Sequence, residues 1–246
     1  MNLSAISNTS FMGKMLRQPL RLIPPDICLP ILQGRLRGKR WITGSSIHGC
    51  WLGSYESDKQ RLFETAIREG DTVFDIGANV GFYTLLASVM VGASGQVYAF
   101  EPLPRNTIFL NRHLVLNRAA NVKVFEVAIA DANGEAYFDD SPNNSMGHLS
   151  STGTRKVRTM TIDDLVFDSK IAPPNCIKID VEGAETCVLA GARLVLERYQ
   201  PTIFLATHGP DVHSRSCQFL DSLGYTLESI GDKVISETDE ILAYHT

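Results

Sequence analysis

One run constrains the fold more than any other: DTVFDIGANVGFYTLLA, Asp71 to Ala87. TVFDI suits a buried strand, a turn with Gly77 and Gly81 follows, and GFYTLLASVM has the apolar content of a helix packed on a sheet. Twenty residues past Gly81, the apolar strand QVYAF ends in an acid, Glu101. A strand, a glycine-bearing turn, a helix and an acid at the next strand end describe a pocket for a nucleoside-bearing cofactor at the edge of a parallel sheet.

The turn is not a dinucleotide fingerprint. Counted from Gly77, GxGxxG requires glycine at 79 and 82, where this chain has Asn79 and Phe82. Glycine at the middle position lets a pyrophosphate approach the backbone. Asparagine argues against that and leaves room for an uncharged linker, such as a thioether carrying an amino acid. Small residues from Gly77 through Asn79 to Gly81 fit close approach of such a cofactor. Asp75 is placed to receive its ammonium, and Glu101 to accept from both ribose hydroxyls. Asp131, ending VFEVAIAD, is placed to accept from an adenine amino group beside Ala130. Each acid also has a plainer role: Asp75 as a cap, Glu101 as a helix-start acid beside Pro102, and Asp131 as a cap on the Asn133–Gly134 turn.

Strand and helix patterns alternate onward. PRNTIFLNRHLVLNR reads as a helix, VKVFEVAIA as strand three, CIKID as strand four, AETCVLAGARLVLERY as a helix and TIFLATH as strand five. CQFLDSLG ends a further helix, and YTLESI and ILAYH read as closing strands. Short apolar strands at this spacing favour an α/β fold with a mostly parallel sheet covered on both faces. Residues 133–159 break the alternation: they contain no helical pattern, open on Asn-Gly and are rich in Ser, Asn, Thr and Gly, as an inserted hairpin or lid would be. The expected division is a basic extension and lead-in over residues 1–56, then one domain over 57–246.

These segments together resemble the FkbM family of class I S-adenosylmethionine-dependent methyltransferases. The likeness rests on WLGSYE (Trp51 to Glu56), FDIGANVGFYT (Phe74 to Thr84), FEP (Phe100 to Pro102), VRTMTIDDL (Val157 to Leu165) and KIDVEGAE (Lys178 to Glu185), in that order. It implies a Rossmann-like, seven-stranded sheet with an antiparallel last strand, and O-methylation of a sugar, glycan or other hydroxylated small molecule. It also implies that Asp75, Gly77 and Gly81 surround the methionine part, that Glu101 binds ribose and that Asp131 lies near adenine. Two other readings remain at this point: a noncatalytic adenosylmethionine-binding domain, and a nicotinamide-dependent oxidoreductase, which Asn79 disfavours.

A hydroxyl acceptor needs its proton moved. Asp180, at the end of strand four, and His208, at the end of strand five, share one sheet edge and are the catalytic candidates, with His208 the expected base. Alternation along strand four puts Lys178 on the same side as Asp180. Glu182 and the short polar residues Asn143, Asn144 and Ser145 of the insertion, with His148, are candidates for the acceptor side. A divalent metal on Asp180, Glu182 and His208 is the alternative held behind direct base assistance.

Composition limits the rest. Residues 1–40 carry seven Lys or Arg and one acid, yet the chain's net charge is -4, so the basic surface is confined to the lead and a general nucleic-acid binder is not expected. That basic lead suits solubility, an anionic substrate or a membrane surface. The five cysteines form no CxxC pair, as expected of reduced thiols. No apolar stretch is long enough to span a bilayer, and the first twenty residues lack the apolar segment of a secretory signal, so a cytoplasmic location is expected.

Overall fold

A computed structural model describes residues 19–139, 148–149, 155–168 and 170–245. The lead-in forms a two-stranded antiparallel ribbon, β1 (Cys28–Pro30) with β2 (Arg40–Ile42), followed by α1 (His48–Leu52) and α2 (Ser57–Ala66). The alternating part then runs β3 (Thr72–Ile76), α3 (Phe82–Val91), β4 (Gln96–Phe100), α4 (Pro104–Asn117) and β5 (Val122–Phe125). After an inserted sheet come α5 (Ile162–Phe167), β10 (Cys176–Ile179), α6 (Glu185–Ala190), α7 (Arg193–Tyr199), β11 (Thr202–Ala206), α8 (Pro210–Ser222), β12 (Thr226–Ser229) and β13 (Glu240–Tyr244).

Seven strands form the main sheet in the order β12-β13-β11-β10-β3-β4-β5. It is a mixed sheet. The neighbours from β11 to β5 are parallel, whereas β13 runs antiparallel to both β11 and β12. The expectation of parallel strands holds for the block of five, and the expected antiparallel last strand is β13, which makes the sheet mixed. The central strands read as unbroken apolar runs because both of their faces are covered. Phe74, Ile177 and Ile203 face a core shared with Val188, Leu189, Val195, Leu196 and Leu220 of α6, α7 and α8. Their neighbours Val73, Cys176 and Phe204 face the other way, onto Phe63 of α2 and Leu85 and Leu86 of α3. That alternation is the two-residue strand period at work, and each such burial stabilises the fold by roughly 1.5–3 kcal/mol.

The lead-in enters the second core. Trp41 is fully buried with Trp51, Phe63 and Tyr83, and its ring stacks on His113 of α4 with centroids 3.8 Å apart.

Three local differences from the sequence reading have clear causes. Strand three is split: β5 stays in the main sheet, and after Glu126 the chain turns so that β6 (Ala128–Ile129) pairs in parallel with β9 (Arg155–Met160) of a separate sheet. That sheet, in the order β6-β9-β7-β8, is built on β7 (Gly134–Asp139) hairpinned to β9, with β8 (His148–Leu149) on its edge. The single helix read over AETCVLAGARLVLERY breaks at Gly191 and Ala192. The Asp163 carboxylate there accepts from the Leu194 and Val195 N–H groups (3.0 and 2.9 Å) at the start of α7. A cap supplied from thirty residues away leaves no trace in helical periodicity. The short helix α5, unforeseen, starts where the Thr161 hydroxyl accepts from the Asp164 N–H at 3.0 Å.

Candidate active site

A cavity of about 270 Å³ opens at the C-terminal ends of β3, β4 and β10. One wall is the turn from Gly77 to Gly81. It is pinned because the N–H groups of Gly77 and Ala78 both donate to the Phe100 carbonyl at 3.0 Å. Gly77 and Gly81 have φ of +77° and +91°, which favour glycine, and Asn79 tolerates +50°. Packing requires their smallness independently of any cofactor. A Cβ on Gly77 would lie 1.9 Å from the Asp180 carbonyl oxygen, and one on Gly81 would lie 2.2 Å from Leu110 Cδ1. Packing against β10 and α4 requires these glycines.

Glu101 forms the floor and is 4% exposed. Its Oε1 accepts from the Leu103 N–H (3.0 Å) and from Asn106 Nδ2 (3.1 Å), while Oε2 accepts from the Asn79 N–H at 2.8 Å. Burial raises its pKa, against the pull of these hydrogen bonds. A carboxylate oxygen has room for about two donors. Among the described residues Oε1 accepts two hydrogen bonds and Oε2 one, so Oε2 is the oxygen better placed to accept from a ligand.

Asp75 does not line the cavity. It is fully buried beneath it, where Thr84 Oγ1 donates to its Oδ2 at 2.6 Å and Lys178 Nζ lies 3.4 Å from Oδ1. The expected direct receipt of a ligand ammonium does not fit a side chain sealed from the cavity and ion-paired with Lys178, although its Oδ1 has no hydrogen-bond partner among the described residues. Lys178 also lies 3.5 Å from Asp180 Oδ2, on the side that strand alternation predicts. Burial alone would lower its pKa, but Asp75, Asp180 and Glu56 overcome that and raise it, so the amine stays charged.

Ala130 and Asp131 are carried away from the cavity by the split of strand three. The Ala130 N–H donates to the Met160 carbonyl at 3.0 Å, and Asp131 is exposed. Val127, Ala128 and Ile129 line the cavity instead. Asn143, Asn144 and Ser145 lie outside the described residues. His148 is placed only as a β8 residue opposite Asp139, and its side chain is outside them too.

Asp180 and Glu182 line the cavity beside a third carboxylate and an imidazole. His208 Nδ1 is 2.7 Å from Glu185 Oε1, and its Nε2 is 3.2 Å from Glu182 Oε2 and 3.9 Å from Asp180 Oδ1. The Glu185 hydrogen bond raises the His208 pKa to about 9; burial opposes this, and Glu182, Glu185 and Asp180 add to it. The ring therefore carries a proton at neutral pH, which corrects the expectation of a free neutral base. Burial raises the Glu182 pKa. For Asp180, burial is outweighed by Lys178, Lys59 and His208, which lower it.

The lead-in supplies residues that motif reading missed. Ser46, Ile47 and Cys50 line the cavity ahead of the WLGSYE segment, whose Tyr55 lines it too. Next to it, buried Lys59 bridges Glu56 Oε2 (2.8 Å) and Glu240 Oε1 (2.6 Å), and Tyr83 donates to Glu56 Oε2 at 2.9 Å. This network ties α2 to β13 and to α3 beside the mouth.

Comparison with known proteins bears on the family and the fold. A family model described as the methyltransferase FkbM domain matches residues 75–227. The chain is 30% identical over 145 residues to the hexuronic acid methyltransferase AglP of Haloferax volcanii, covering 58% of each protein. It is 27% identical over 159 residues to the 31-O-demethyl-FK506 methyltransferase FkbM of Streptomyces tacrolimicus, covering 51% of this chain and 60% of that one. It thus spans less than two thirds of either relative. A solved structure of a methyltransferase FkbM from Methylobacillus flagellatus KT shares the fold, with a TM-score of 0.50 at 17% identity over 81% of this chain and 56% of that chain.

Proposed function

The chain belongs to the FkbM methyltransferase family, and on that premise we propose that it transfers the methyl group of S-adenosylmethionine to a hydroxyl of a sugar, glycan or other hydroxylated small molecule. One observation supports this reading most: a single cavity holds the carboxylate of Glu101 at one end and the carboxylates of Asp180 and Glu182 at the other. One relative is named for methylation of a hexuronic acid and another for a 31-O-demethyl acceptor, and both names fit a hydroxyl as the methylated group.

The residues suit that cofactor. Glu101 Oε2 can take one ribose hydroxyl proton in a hydrogen bond. Phe100, Val127 and Ile129 offer apolar walls to a purine, in place of the role first read for Ala130 and Asp131. The backbone from Gly77 through Asn79 to Gly81 faces the amino-acid end. Asp75 acts from below, by holding Lys178. When bound, the cofactor supplies an electrophilic methyl carbon for in-line displacement. The chain's own work is to orient the acceptor, to keep out water and to draw off the hydroxyl proton. Asp180, Glu182 and His208 form the acceptor side. The proton goes to this group as a unit, since His208 is already charged. The lead-in residues Tyr55 and Ile47 help to close the cavity, so the segment from Ser46 to Tyr55 serves the site as well as preceding the domain.

Calorimetric titration with adenosylmethionine and adenosylhomocysteine, followed by methyl-transfer assays on uronic acids, other sugars and hydroxylated metabolites, tests this reading. Micromolar binding with transfer to a hydroxyl is expected. Absence of affinity for either cofactor form would overturn it.

A further inference from the structure

We propose that Asp180, Glu182 and His208 form a divalent-cation site at the mouth of the cavity. One oxygen from each acid and one nitrogen of His208 lie within 4.8 Å of one another. Around an ion with metal–ligand distances of about 2.1 Å, neighbouring ligands stand about 3 Å apart and opposite ones about 4.2 Å. The Nε2 separations of 3.2 Å from Glu182 and 3.9 Å from Asp180 fall in that span. The ligands come from three places: the end of β10, the loop after it and the end of β11. Asp180 and Glu182 are neighbours in sequence, and folding brings His208 to them across β10 and β11.

Two observations set this group apart from an ordinary acidic cluster. The first is the imidazole. Its Nδ1 is held by Glu185 Oε1 at 2.7 Å, which aims Nε2 at Asp180 and Glu182, and an ion bound there replaces the Nε2 proton that the ring otherwise carries. A carboxylate behind a histidine is the usual outer support of a metal-binding ring. The second is Glu185 itself. It is fully buried, and its Oε2 has no hydrogen-bond partner among the described residues. A carboxylate oxygen sealed from water is costly unless positive charge lies near. The cations that face the group, Lys178, Lys59 and the His208 ring, are each shared among several carboxylates. Lys178 is shared between Asp75 and Asp180, and the His208 ring is faced by Asp180, Glu182 and Glu185 together. A divalent ion adds positive charge there.

Two carboxylates and one imidazole suit a six-coordinate magnesium or manganese ion and leave about three positions for water or acceptor oxygens. Asp180 and Glu182 line the cavity, so those positions open toward it. On the O-methylation reading above, on which this step rests, the preferred acceptor offers two neighbouring oxygens, as in a vicinal diol or a hydroxy acid. The cation holds both.

The test uses the full chain, stripped with chelator and titrated with manganese chloride by calorimetry and by the electron-spin signal of free manganese. Adenosylhomocysteine is titrated into the same samples. One ion per chain is expected. E182Q and H208Q should each weaken it at least tenfold, and D211N, which changes an exposed acid on α8, should leave it unchanged. Glu182 sits in a partly exposed loop, so E182Q keeps the test valid if H208Q folds poorly. No saturable manganese binding by the wild type, or equal binding by wild type, E182Q and H208Q, overturns the site. Adenosylhomocysteine binding without manganese binding rejects the cation alone. Manganese binding without adenosylhomocysteine binding supports the cation and rejects the methyl-transfer reading.

Discussion

His113 makes the sharpest prediction about stability. It is fully buried on α4, where the Ile42 N–H donates to its Nε2 at 3.2 Å and its Nδ1 lies 2.8 Å from the Val80 carbonyl. Only the neutral ring with its proton on Nδ1 satisfies both partners. Burial pushes its pKa down to about 4; the Val80 bond opposes this and Arg112 adds to it. The unfolded chain protonates the ring near its ordinary 6.5, so between 6.5 and 4 the unfolded state holds more protons. The contribution is present in full above 6.5 and is lost as the pH falls toward 4. Near pH 5 the loss is about 2 kcal/mol relative to about pH 7.5. Glu240, raised to about 6 by burial against the pull of Lys59, works in the opposite sense: its contribution is present below the ordinary 4.5 and is lost as the pH rises through 6. The comparison must therefore be with H113F, which keeps a ring against Trp41 and removes the titrating group. At neutral pH, H113F should be less stable by about 2–4 kcal/mol, because two buried backbone groups lose their partners. In urea unfolding, the gap between wild type and H113F should narrow by about 2 kcal/mol as the pH drops from about 7.5 to about 5. Parallel curves across that range would refute a neutral, buried ring.

The remaining predictions concern the site and its supports. E101Q should weaken adenosylhomocysteine binding at least tenfold, about 1.4 kcal/mol, by calorimetry; unchanged affinity would remove Glu101 from the ligand's contacts. G77A and G183A both place alanine at positive φ, +77° and +103°, but only the first meets an obstacle, the Asp180 carbonyl at 1.9 Å, with nothing within 4 Å of the second. G183A should cost about 1–2 kcal/mol in urea melts and G77A clearly more; equal losses would mean that backbone strain alone sets the cost. K59M should destabilise the fold by about 3 kcal/mol, because it leaves Glu56 and Glu240 without their shared cation. Adding E240Q should return part of that loss, and strict additivity of the two changes would show that the bridge contributes nothing.

Much of the main sheet was legible because its signals are local. TVFDI and QVYAF carry the unbroken apolar character of strands covered on both faces, and Gly77 and Gly81 mark the turn between β3 and α3. The acid at Glu101 was legible from spacing alone. Other features depend on what lies across space. The break of strand three after Glu126 follows from pairing with β9, and it moves Asp131 out of the site. The break between α6 and α7 follows from capping by Asp163. The lead-in residues Ser46, Ile47, Cys50 and Tyr55 reach the cavity only because Trp41 and Trp51 pack into the core beside α3.

The chain's order of apolar runs, turns and strand-end acids determined the family, the strand–turn–helix at Asp75 to Gly81 and the edge on which the site sits. Tertiary structure alone decided what each acid does there. Asp75 pairs with Lys178, Glu101 accepts from the Asn79 and Leu103 N–H groups and from Asn106, and Glu185 charges the ring of His208. The reason is physical. A run's hydrophobicity is a property of the residues in it, whereas a side chain's charge, its partners and its reach are set by neighbours that only folding brings within a few ångströms.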